Sequence, residues 1–273
     1  MTADIEVTRV HSPDRARRRM LLLHGLGNSA TVWDPTLGLW DRSTEVWSAQ
    51  LPWRSDGPPA WSHADDVAGH IGTALDAVPG GADVVVAHSF AANLTLELFS
   101  RELTAGVDLT ARYGLRAAVF VSPFYRRRPE DFHWHAIAEQ LALFRHTIDV
   151  GVRRHSTREL AEDLRADIVR HICDRVGAYG WTRFFELYLR TPWLRTDLIT
   201  LPCLVVGGRD DETAPPGEAE LLAADLPHGS GELLAGCGHF PMIEQPARLA
   251  GLICAFLDAV PADRRLIPEE WYR

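Results

Sequence analysis

Short, near-continuous apolar runs recur along this chain with helix-like stretches between them, and that alternation limits the possible folds more than any other feature. Residues 20–24 (MLLLH), 45–48, 83–87 (DVVVA), 117–121 (AAVFV) and 203–206 (CLVV) each read as a buried strand, with a further strand expected near 5–10. Runs without polar alternation suit a parallel sheet covered on both faces. The intervening segments 61–78, 89–104, 216–225 and 244–258 carry helical patterns. Strands alternating with helices predict an α/β, mostly parallel, doubly wound sheet.

One stretch breaks the alternation. From about residue 126 to 198 the pattern is helical only, and Ser156-Thr157-Arg158-Glu159 reads as a helix start with a capping box. Gly151, Gly177, Gly180 and Pro192 punctuate it. The segment holds 13 arginines against 11 acids, whereas the whole chain carries a net charge of −9. The expected organisation is therefore a core of residues 1–125 and 199–273 with an all-helical cap at 126–198.

Four places combine a strand end with chemistry. In VVVAHSFAAN (84–93) a strand runs into Ser89 and a helix follows at once. So sharp a turn needs small residues two positions either side of the serine, here Ala87 and Ala91. It would lift the Ser89 hydroxyl above the sheet and leave the Phe90 N–H at a helix N-terminus, where negative charge is favoured. The plain alternative is a serine at a helix start, where serine is common. In LLLHGLGNSA (21–30) a strand ends at His24-Gly25, and the loop presents the Leu26 N–H as a second donor. Gly25 and Gly27 permit close backbone approach. In LPCLVVGGRDDETAPP (201–216) a strand end is followed by Asp210 and Asp211, and in ELLAGCGHFPMIEQP (232–246) by His239. Ligands of open α/β sheets bind at that edge.

Taken together, the four segments resemble the α/β-hydrolase superfamily, in the branch with a helical cap. The likeness covers all but the N-terminal dozen residues and the tail. It implies a triad in the order Ser89, acid, His239. The family's spacing from Gly208 and to Pro215 puts the acid at Asp211, with Asp210 as the alternative. It also implies an oxyanion hole from the N–H groups of Leu26 and Phe90, and no cofactor. Two departures stand out. The elbow is flanked by alanines rather than glycines, and Gln50-Leu51-Pro52-Trp53-Arg54-Ser55-Asp56 replaces a glycine-rich turn after the strand at 45–48.

Composition narrows the reading further. All 28 basic residues are arginine, so a Schiff-base lysine and a phosphate-loop lysine are both excluded. Net acidity argues against broad nucleic-acid binding. Four scattered cysteines make no disulfide framework, and no run reaches the roughly 20 apolar residues of a membrane span, so a reduced, cytoplasmic protein is expected. Cys237 with His239, and His133-Trp134-His135, lack a third ligand nearby, and no metal site is read there. Candidate substrate contacts are Gly25, His88, Trp134 and Trp181, although strand alternation turns His88 away from the serine. His24 is expected to brace the oxyanion loop. Arg126-Arg127-Arg128 reads either as a grip on a substrate anion or as a solvated turn. The expected activity is cofactor-free serine hydrolysis of an ester, thioester or lactone, with a small acyl molecule as partner. The rivals are a carbon–carbon bond hydrolase or cyclase on the same fold, or a ligand-binding member that does not turn over.

Overall fold

The computed structural model describes residues 5–13, 16–54, 59–133, 135–156 and 159–260. Seven strands form one sheet: β1 (Glu6–His11), β2 (Arg18–Leu23), β3 (Thr44–Gln50), β4 (Val84–His88), β5 (Ala117–Val121), β6 (Cys203–Gly208) and β7 (Gly229–Leu234). Their spatial order is β1-β3-β2-β4-β5-β6-β7. Only β1 runs antiparallel, against β3. The others are parallel, and central pairs such as Leu22↔Val86 and Val86↔Val119 keep strict register.

The apolar runs are continuous because alternate residues serve two cores. Leu21, Leu23, Val85, Ala87, Ala118 and Phe120 face one side. Met20, Leu22, Val84, Val86, Val119 and Val121 face the other. Helices α1 (Gly69–Asp76), α2 (Phe90–Thr104), α3 (Leu109–Tyr113) and α6 (Pro216–Asp225) contribute residues to the first core. The turn α7 (Pro241–Glu244) and helix α8 (Pro246–Ala259) contribute to the second. The mostly parallel, doubly wound α/β sheet expected from the sequence is thus the observed one.

Between β5 and β6 the described residues hold only helices, chiefly α4 (Ala136–His155) and α5 (Glu162–Leu189). Gly177 takes φ 64° and kinks α5. Asp149 on α4 accepts from Arg165 on α5 at 2.7 Å, tying the pair together. Arg183 donates to the carbonyls of Ser62 and Ala64, at 2.8 and 2.9 Å, and so ties α5 to the sheet domain.

Two local expectations need correcting. The helix expected over 61–78 is a short 3-10 turn, Pro59–His63, followed by α1. Asp66 accepts from the Gly69 N–H at 2.9 Å and starts α1 late, while Trp61 is drawn into the core against Trp53. Ser156 ends α4 rather than starting a helix, because its hydroxyl bonds back to the Val152 carbonyl at 2.7 Å. Thr157 and Arg158 of that expected capping box lie outside the described residues, as do Ser55, Asp56 and the tail after 260. Arg126, Arg127 and Arg128 each pair within the chain, with Glu218, Asp225 and Asp131, and Arg127 and Arg128 stay exposed, as expected of a solvated turn.

Candidate active site

Ser89 sits between β4 and α2 with φ 55° and ψ −122°. A non-glycine residue in that region is strained by about 1–3 kcal/mol, and such strain gathers at functional turns. The turn is held by the Ser89 N–H, which donates to the Val121 carbonyl at 2.8 Å. Ala87 and Ala91, both fully buried, leave it enough room without glycine. Asn93, one turn into α2, exchanges two hydrogen bonds with the backbone of Phe124 at 2.6 and 3.0 Å, locking the helix start to the segment after β5.

The loops after β6 and β7 meet beside Ser89. Their approach depends on Gly208, where a Cβ would lie 2.2 Å from the Gly238 carbonyl oxygen. The His239 Nδ1 lies 2.8 Å from Asp211 Oδ2, and its Nε2 lies 3.0 Å from Ser89 Oγ. A carboxylate only accepts, so Nδ1 carries the proton and Nε2 is left to accept from the hydroxyl. The other carboxylate oxygen of Asp211 accepts the N–H groups of Thr213 and Ala214, both at 2.9 Å, which fixes its orientation. Ser89, Asp211 and His239 are all buried, whereas Asp210 is exposed and meets the Cys237 carbonyl through its own N–H.

The loop after β2 closes over the serine. A Cβ on Gly25 would come within 2.9 Å of His88 Nδ1 and 3.0 Å of Ser89 Cβ, so only glycine permits this approach. His24 is buried and braces the loop: its Nε2 accepts from the Leu51 N–H at 2.9 Å. Trp53 completes the brace. Its indole N–H donates to the His24 carbonyl at 3.0 Å, and its own carbonyl accepts from the Gly27 N–H at 2.9 Å. Trp53 also stacks edge-on against Phe90 at 5.4 Å. Trp53 thus holds both halves of the expected oxyanion hole. Sequence reading registered it only as a departure.

A cavity of about 240 Å³ opens over Ser89 and His239. Leu26, Gly27, Asn28 and Phe240 line it from the sheet domain, and Phe144, Ile148, Gly151, Val152 and Ile172 from α4 and α5. Another depression, about 300 Å³, lies at the opposite sheet edge, where Arg116 and Pro202 precede β5 and β6. Several sequence-derived contacts fall outside the cavity wall. His88 is completely buried, and its Nε2–H donates to the His239 carbonyl at 2.9 Å. Burial, with His239 nearby, holds its pKa well below the usual histidine value, so the ring is neutral. Trp181 packs on Phe144 at 4.4 Å and supports the wall from behind. Gly25 packs against His88 and Ser89 and is not among the lining residues, and Trp134 is outside the described residues.

Among the described residues no helix is long and apolar enough to cross a membrane. Residues 20–252 match the model of a family described as "Alpha/beta hydrolase family". Monoacylglycerol lipase ABHD6 from Homo sapiens is 34% identical over 64 residues, which is 23% of this chain and only 19% of that protein. Carboxylesterase CesB from Bacillus subtilis superposes with a TM-score of 0.60 at 15% identity, covering 93% of this chain and 88% of that one. A bromoperoxidase from Bacillus anthracis superposes with a TM-score of 0.64 at 14% identity, covering 94% and 96%. At such identities the solved structures speak for the fold.

Proposed function

This chain belongs to the alpha/beta hydrolase family, and on that premise we propose that it is a cofactor-free serine hydrolase cleaving a carboxylic ester, thioester or lactone. The observation that carries the proposal is the unbroken hydrogen-bonded line from Asp211 through His239 to Ser89, ending at the cavity floor. Ser89 Oγ attacks the acyl carbon while His239 Nε2 takes the hydroxyl proton. Asp211 holds the imidazole in the required tautomer and stabilises the imidazolium. The tetrahedral oxyanion is received by the N–H groups of Leu26 and Phe90, each worth about 3 kcal/mol in the transition state. Phe90 is the first residue of α2, where helix N–H groups have no partner within the helix. The intermediate collapses, and the leaving alcohol or thiol takes the proton from His239. Water then repeats the sequence on the acyl-enzyme, releasing the acid and restoring Ser89.

Residues 126–198 act in this reading as a cap. The five cavity residues that α4 and α5 supply are its contribution to substrate binding. The test is covalent labelling with a fluorophosphonate. One adduct on the wild type, absent from Ser89→Ala, is expected by intact-mass analysis. No adduct, or an equal adduct on the alanine variant, would remove Ser89 as the nucleophile.

A further inference from the structure

The cavity wall supplied by α4 is a single stripe. Phe144, Ile148, Gly151 and Val152 are spaced by four, seven and eight residues from the first, which places them on one helix face. Three of them fill space with side chains, and Gly151 does not.

Nothing in the backbone or packing demands glycine there. Gly151 is absent from the residues of positive φ. A Cβ built on it would lie 3.4 Å from Phe240 Cε2 and 3.9 Å from Cδ2, which is contact at the close end of the ordinary range rather than a clash. Gly25 is the contrast, because the His88 ring and Ser89 Cβ leave no room for a side chain there. Glycine in a helix interior weakens the helix relative to alanine. The chain therefore carries a weaker helix where alanine would fit, and the space kept open is the cavity beside Phe240, whose ring lies 5.3 Å from that of His239.

We propose that Gly151 is a specificity-determining residue, leaving room above the Ser89–His239 pair for a bulky, uncharged group of the substrate. This rests on the serine-hydrolase reading and adds the class of group accepted. A 150 Å³ apolar cavity holds benzene, so about 240 Å³ admits roughly ten non-hydrogen atoms. Among the described residues neither Asp, Glu nor Arg lines the cavity, and a carboxylate seated among Phe144, Ile148, Val152 and Ile172 would be desolvated.

The test compares wild type, Gly151→Ala and Gly151→Leu in their rates of labelling by short-chain and long-chain alkyl fluorophosphonates. The ratio of long-chain to short-chain rate is expected to fall from wild type to alanine to leucine, by about tenfold to a hundredfold for leucine. Thermal unfolding should place the alanine variant at or above the wild type, so that its altered ratio is not unfolding. An unchanged ratio in both variants, or equal losses with both probes, overturns the assignment of Gly151. So does wild-type labelling that is as fast with a terminal carboxylate on the long chain. Failure of every probe to label the wild type is a different result, which removes the serine-hydrolase reading beneath it.

Discussion

Gln140, on α4, donates its side-chain amide to the Thr213 carbonyl at 2.7 Å. Thr213 in turn gives its N–H to Asp211 Oδ1 at 2.9 Å. The Thr147 and Thr213 hydroxyls also meet. The helical segment is therefore fastened to the turn that aims the carboxylate at His239, as well as covering the cavity. Gln140→Ala leaves a buried carbonyl without this donor, a loss of about 1–3 kcal/mol of stability. It is expected to lower kcat more than it raises KM. Steady-state kinetics together with thermal unfolding check this; a destabilised variant with wild-type kcat would show that the fastening is only structural.

Asp211 and Asp210 are neighbours with opposite surroundings. The Asp211 carboxylate is buried on His239, and Asp210 faces solvent. Asp211→Asn should lower kcat/KM by about 10³–10⁴-fold, because the amide favours the wrong imidazole tautomer. Asp210→Asn should match wild type. The reverse ranking in an ester-hydrolysis assay would move the acid by one residue.

Trp53→Phe keeps a ring near Phe90 and Trp61 but removes the indole N–H from the His24 carbonyl. A loss of about 1–3 kcal/mol in stability follows from removing this buried hydrogen bond. The oxyanion loop should loosen with it, so kcat is expected to fall while short-chain fluorophosphonate still labels Ser89. Unchanged kcat would separate this brace from transition-state stabilisation.

Glu218 is a buried carboxyl where α5 meets α6. It receives the Tyr125 N–H at 2.8 Å, the Tyr188 hydroxyl, and Arg126 at 3.2 Å. Burial outweighs these donors and pushes its pKa up from 4.5 to about 7. A carboxyl raised on folding binds its proton more tightly folded than unfolded. Its contribution to stability is thus complete below about pH 4.5 and is lost as pH rises through about 7. Replacing it with glutamine should flatten the stability profile across that window by about 1–3 kcal/mol. Denaturant unfolding of both proteins at pH 5 and pH 8 measures the difference, and parallel profiles would contradict it.

Much of this was legible along the chain, for identifiable reasons. Fully covered parallel strands leave uninterrupted apolar runs, so β2, β4, β5 and β6 could be read directly, as could the serine between Ala87 and Ala91. Contacts across the fold left no such trace. The pairing of Arg126 with Glu218 joins residues 92 positions apart, and Gln140 meets Thr213 across 73. Trp53 looked like the loss of a glycine turn until its indole was seen on His24.

The amino-acid order by itself determined the sheet, the helical stretch interrupting it, and which strand ends carry a serine, two acids and a histidine, because periodicity and strand-end chemistry are local properties. Only the tertiary structure decided that Arg126 pairs with Glu218, that the Trp53 indole holds the His24 carbonyl, and that α4 presents Gly151 to the cavity. Those outcomes depend on the direction in which each chain segment leaves its strand and on which side chains burial then brings together, and neither is encoded in the spacing along the chain.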